Sequence, residues 1–104
     1  MAMTEVGNSN FWTTVLKQEQ PVVVAFWATW CGACKATMPA VSALADEQGL
    51  PVYTVNVGNE PAIAYEYGVT AAPTLKVFEH GQVVKTITGR RTRQELESEL
   101  AEYL

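Results

Sequence analysis

The sequence predicts an α/β protein with a central mixed β-sheet flanked by helices on both faces. Three observations lead there. The run "PVVVAFWA" (Pro21 to Ala28) is continuously apolar and rich in β-branched residues, as suits a strand buried on both faces under helices. Further on, "TLKVFE" and "QVVKTIT" stand on either side of "HG", a compact hairpin signal that puts His80 and Gly81 in the turn. The remaining stretches carry helical spacing with start and stop signals. The order is αβαβαββα, with "MTEVG" as a candidate strand ahead of it.

Each element has its own reason. "GNSNFWTTVLKQ" reads as a short amphipathic helix, capped by Asn8 or Ser9, with Phe11, Val15 and Leu16 inward. "CKATMPAVSALADEQG" is helical and stops near Gly49. Pro39 should bend it by removing one backbone donor. "PVYTVNV" is a second strand. "EPAIAYEYG" is a short helix, with Pro61 suited to its first turn and Gly68 to its end. "TRQELESELAEYL" closes the chain as a helix. There Thr92 and Glu95 form a capping box, and Leu96, Leu100, Tyr103 and Leu104 line one face.

Composition narrows the function. The chain has 104 residues, 48% of them hydrophobic, which bounds it to a single domain, residues 1–104, able to bury a core. There are no repeats, linkers or low-complexity tracts. The net charge is −4, so attraction to phosphate backbones is absent and nucleic-acid binding is not expected. The longest apolar stretch, "PVVVAFWATW", is too short to cross a membrane. "MAMTEVGNSN" lacks the basic and apolar regions of a secretory signal. A cytoplasmic location is therefore expected, and Met1-Ala2 reads as a remnant ahead of Met3.

The chemistry lies in "WCGACK" (Trp30 to Lys35), which holds both cysteines. Two cysteines are too few for a disulfide scaffold, whereas Cys-x-x-Cys after a strand reads as redox chemistry. The strand runs straight into the motif and then a helix follows. This puts Cys31 at a helix N-terminus, where free N–H groups and the positive dipole end favour a thiolate. Cys34 sits one turn further in, close enough to form a disulfide with Cys31. Cys31 would attack a partner's disulfide, and Cys34 would resolve the mixed disulfide. Two blander readings compete. A zinc site needs four ligands, and outside the motif only His80 remains as a His or Cys. Two inert core cysteines fit poorly with Gly32 and Trp30, which mark an exposed turn. No metal and no tightly bound cofactor is expected.

"FWATWCGACK", "AAPTLKVFEHGQ" and the later Gly89 together resemble the thioredoxin family, in order and over nearly the whole chain. The resemblance implies a thioredoxin fold and protein-disulfide reductase activity. It implies a cis-proline at Pro73 beside the dithiol, with the backbone of Ala72 pairing with an extended client segment. Gly89 would let that client approach closely. Trp30, with Gly32 and Ala33, would form the contact surface. Trp27 would pack beneath the site, with Lys35 and Pro39 supporting it; plain core filling is the alternative for both tryptophans. Expected partners are disulfide-containing clients and a flavin-dependent thioredoxin reductase, and the protein is expected to be a monomer.

The chain also departs from the family pattern. It has Ala33 where thioredoxins usually carry Pro, Ala25 where they carry a buried Asp, and Thr54 where a Lys often pairs with that Asp. Asp46 is the only aspartate. Without the carboxylate, proton transfer from the inner cysteine falls to water or to the other thiol. General-base help is worth about 10²–10⁴-fold, so exchange should be slower near neutral pH. Removing a nearby negative charge also favours the thiolate, and a stabilised reduced form makes the couple more oxidising. Ala33 should push the same way. An oxidant, an isomerase or a dedicated-client reductant is therefore a second reading, and a binding module with incidental redox activity a third. Arg90, Arg91 and Arg93 form a basic cluster that draws acidic partners, supports the Cys31 thiolate or is simply solvated.

Overall fold

The computed structural model describes residues 3–104, so Met1 and Ala2, and the reading of them as a remnant, lie outside the described residues. Five strands form one sheet: β1 (Met3–Glu5), β2 (Val22–Trp27), β3 (Val52–Asn56), β4 (Thr74–Glu79) and β5 (Gln82–Thr88). The order across the sheet is β1-β3-β2-β4-β5. β1 and β2 run parallel to β3, while β4 is antiparallel to β2 and to β5. The sheet is therefore mixed, and β2 sits at its centre.

The apolar run of β2 has the burial its sequence calls for. Val22, Val23, Val24, Ala25 and Phe26 are all buried, because helices cover both faces. On one face, α1 (Gly32–Gln48) and α3 (Arg93–Glu99) set Val41, Leu44, Leu96 and Leu100 against Val23, Ala25 and Leu75. On the other face, α2 (Pro61–Glu66) and a π-helical turn at Trp12–Leu16 bring Ile63, Phe11 and Val15 onto Val22, Val24, Phe26 and Phe78. Phe11, Tyr67 and Phe78 meet there at tilted and edge-on angles, as aromatic quadrupoles favour.

Helix ends follow their signals. Gly49 closes α1 at φ 67°, in the left-handed region that glycine tolerates. Thr92 and Glu95 form the reciprocal capping box at the head of α3. The hairpin turn is His80-Gly81, with φ values of 53° and 78°. One irregularity breaks the hairpin ladder: the register shifts between Val77 and Phe78, opposite Val84.

Three expectations need correction. The N-terminal helix is only a π turn, and neither Asn8 nor Ser9 caps it: Phe11 stands at the cap position without a side-chain bond. The Asn8 N–H instead donates to Glu60 Oε1, and Asn10 Oδ1 receives the Gly7 N–H. The last helix ends at Glu99 and tightens into a 3₁₀ turn over Ala101–Tyr103. That tightening rotates Leu104 off the apolar face, leaving it 41% exposed while Leu96 and Leu100 are buried.

Candidate active site

β2 ends at Trp27, and the chain reaches the head of α1 within four residues. Cys31 is the N-cap of α1, with extended backbone dihedrals, and Cys34 lies in the first turn. The two sulfurs are joined as a disulfide, with Cα atoms 5.3 Å apart. The Cys34 N–H donates to Cys31 Sγ at 3.1 Å. A cap normally offers oxygen to the first turn; here sulfur takes that place, so the outer sulfur faces the positive end of a 17-residue helix. Both cysteines are buried, with Cys31 6% and Cys34 3% exposed. They pack with Ala28, Trp27, Ala33, Met38, Val57 and Ala72. This apolar setting disfavours stray charge, which makes the helix end the main support for a thiolate at Cys31.

A second segment crosses over the first. The Ala72–Pro73 peptide is cis, and the Ala72 carbonyl oxygen lies 3.2 Å from Cys31 Sγ. Thr74 Oγ1 donates to the Ala71 carbonyl at 2.7 Å and fixes this loop. The Gly89 N–H donates to the Pro73 carbonyl at 2.9 Å, and Gly89 itself has φ 96°. A side chain at Gly89 would strain the backbone there.

Two hollows flank the dithiol. One, of about 470 Å³, is walled by Trp27, Thr29, Cys31, Cys34, Lys35, Met38 and Pro39. The other, of about 300 Å³, lies between Trp30, Val57, Tyr65, Val69 and Ala72. Trp30 is 74% exposed, which removes core filling as its explanation. Trp27 is half-buried against the cysteines. Gly32, Lys35 and Pro39 are exposed on the first turns of α1, and Ala33 is half-buried.

The missing charge pair also has a place. Ala25 and Thr54 are register partners across β2 and β3, so the two departures from the family pattern are side by side. Both are buried. The arginine cluster, in contrast, is largely tied up. Arg91 Nε pairs with Glu99 at 2.6 Å, and Arg93 pairs with Glu47 and Glu97. The Arg93 guanidinium holds the Glu47 carboxyl below its ordinary value, chiefly by hydrogen bonding. Arg91 and Arg93 thus join α3 to its own turns and to α1, while Arg90 is exposed and outside the ion pairs among the described residues.

Sequence reasoning did not single out Thr37, Tyr65 or Met38. Thr37 is fully buried in α1, and its Oγ1 receives the Arg91 N–H. No local pattern marks a threonine whose partner lies 54 positions away. Tyr65 is 89% exposed at the mouth of a hollow; a large exposed aromatic on a short helix was the available signal.

The thioredoxin family model matches residues 2–102. The chain belongs to the thioredoxin family. A thioredoxin of Porphyra purpurea is 38% identical over 106 aligned residues, covering 100% of this chain and 99% of that one. A thioredoxin of Streptomyces clavuligerus is 40% identical, covering 90% and 89%. A bifunctional thioredoxin reductase/thioredoxin of Mycobacterium leprae is 39% identical over 96% of this chain and 22% of that protein. The thioredoxin fold accounts for the mixed sheet with helices on both faces. With Cys31 and Cys34 paired at the head of α1, the protein is a thiol–disulfide oxidoreductase, an enzyme of the protein-disulfide reductase class.

Proposed function

We propose that the chain works as a single domain, and as a monomer, that reduces disulfides in client proteins. Cys31 is the nucleophile and Cys34 the resolving thiol. The observation that carries this assignment is the Cys34 N–H held on Cys31 Sγ at the head of α1. The Cys31 thiolate attacks one client sulfur, forms a Cys31–client bond and expels the other client sulfur as a thiolate. Cys34 then loses its proton and attacks Cys31 Sγ. The client leaves reduced by two electrons, and the Cys31–Cys34 bond closes.

The client docks as an extended segment along Ala72 and Pro73. The Ala72 N–H makes no backbone hydrogen bond among the described residues, which supports strand-like pairing there. Trp30, Gly32 and Ala33 form the neighbouring contact face, and Gly89 keeps the far rim low. Trp27 floors the site, with Lys35 and Pro39 at the rim of the adjacent hollow.

A thioredoxin reductase would return the electrons; the Mycobacterium leprae relative, by its name, joins the two activities in one chain. A cytoplasmic setting suits a dithiol that must be kept reduced. No helix among the described residues is long and apolar enough to cross a membrane.

The test is reductase-coupled turnover of a protein disulfide. Cys31→Ser should abolish it. Cys34→Ser should leave a stable mixed disulfide, visible as a mass adduct on Cys31. An adduct on Cys34 in the Cys31→Ser variant, at the wild-type rate, would reverse the assignment.

A further inference from the structure

The link from β5 to α3, residues 88–91, borders the client site and is pinned from three sides. The Gly89 N–H donates to the Pro73 carbonyl at 2.9 Å, which ties the link to the cis-proline loop. The Arg91 N–H donates to Thr37 Oγ1 at 3.2 Å, which ties it to α1 one turn past Cys34. Thr37 is fully buried, so this anchor is shielded from water. The Arg91 guanidinium folds back over the link. Its Nη1 donates to the Thr88 and Arg90 carbonyls, each at 3.1 Å, and its Nε donates to Glu99 at 2.6 Å. Arg90 is therefore held between two fixed neighbours while its own side chain is exposed. No ion pair among the described residues engages it. The charge around the dithiol is also lopsided. The chain carries −4 overall, yet the one charged residue walling the two hollows beside the dithiol is Lys35.

We propose that Arg90 is a specificity-determining residue, selecting client segments that carry Asp or Glu one to three residues from the reacting cysteine. This rests on the client docking along Ala72 and Pro73 with Gly89 at its rim. An extended segment rises about 3.3 Å per residue, so such a carboxylate lies about 3–10 Å along the client from the sulfur. Arg90, next to Gly89, meets it from the rim. A guanidinium offers two parallel N–H donors to a carboxylate, which a lysine ammonium does not. The rim backbone is fixed before the client arrives, so binding has only the arginine side chain to order. An exposed pair of this kind acts chiefly on the rate of encounter, and salt screens it.

The test uses disulfide-linked homodimers of three synthetic peptides, identical except for Glu, Gln or Lys two residues on each side of a single cysteine. Excess reduced protein is mixed with each at pH 7 and about 20 mM ionic strength, quenched in acid, and the released peptide thiol measured by chromatography. Each rate is divided by that of dithiothreitol on the same peptide, which removes the peptide's own reactivity. The wild-type Glu-to-Lys ratio should be about three to ten. It should fall to within about twofold of one in Arg90→Gln, and in wild type at 1 M salt, where the screening length is about 3 Å. Arg90→Lys should keep part of it. A wild-type ratio near one would overturn the proposal, as would a ratio that survives Arg90→Gln because all three peptides slow alike. The docking path is checked separately with the Gln peptide N-methylated on both residues flanking its cysteine, which cannot pair as a strand with Ala72. It should react more slowly than its parent; equal rates would overturn the docking path whatever Arg90 does.

Discussion

At the scale of single residues, Ala25 and Thr54 are the instructive pair. They are neighbours across β2 and β3, both buried, and neither carries charge. A lone carboxylate placed at Ala25 would be ionised without a partner, whereas replacing both positions restores a pair. Ala25→Asp should therefore destabilise the protein by about 2–4 kcal/mol at neutral pH. Burial raises the folded-state pKa of such an acid, so the loss should appear as pH rises past about 4 and fade below it. Urea unfolding at pH 3.5 and pH 7 measures this, and adding Thr54→Lys should recover part of the loss at pH 7. Reductase-coupled turnover of Ala25→Asp should exceed that of wild type, because it puts a proton acceptor on the sheet face under α1, the helix that carries Cys34. The chemistry-bearing residues were legible from the sequence because two cysteines, a strand and a helix start are contiguous in it. The hydrogen bond from the Arg91 N–H to Thr37 Oγ1 was not legible, because its partners lie 54 positions apart.

At the scale of elements, the two helix heads do different work. Ala33 is the second residue of α1, where the N–H has no partner within the helix and proline is tolerated. Ala33→Pro should stabilise the folded protein by about 0.4–1 kcal/mol through the unfolded chain. It should also shift the dithiol toward a more reducing potential in glutathione equilibration. An unchanged potential would show that the backbone at residue 33 does not influence the sulfurs. At α3, the Thr92 backbone and side-chain hydrogen bonds lower the Glu95 carboxyl below its ordinary value. A lowered folded-state pKa means the box contributes in full above the unfolded glutamate value, about 4.3, and loses its contribution as pH falls through the lowered value. Thr92→Ala should cost about 1 kcal/mol at pH 7 and less at pH 3, by thermal unfolding. Elements with local start and stop signals were legible to within a residue or two: Gly49, the His80-Gly81 turn and the capping box each mark an end. The two misread segments are those where tertiary contact decides. Glu60, 52 positions away, takes the Asn8 N–H, and the chain end tightens into a 3₁₀ turn beside Leu100.

At the scale of the whole molecule, the dithiol and the fold share one energy balance. Closing a loop of about four residues constrains the unfolded chain by on the order of 2 kcal/mol. A reductant is a protein whose fold favours the closed form, while an oxidant favours the open one. The oxidised protein should therefore show the higher urea midpoint. A higher midpoint for the reduced protein would assign it to oxidation instead. The order of layers follows from β2 alone, since a strand buried on both faces requires cover on both. The side on which each helix lies became visible only in the packing, with α1 and α3 on one face and α2 with the π turn on the other. The interrupted ladder opposite Val84 matters at this scale too. β5 ends the sheet and offers an unpaired flank to any neighbouring molecule. A displaced residue there twists that flank and leaves no regular row of donors and acceptors to copy, with Lys85 following directly. A protein that meets disulfide-bearing clients thus offers them poor ground for fibre growth.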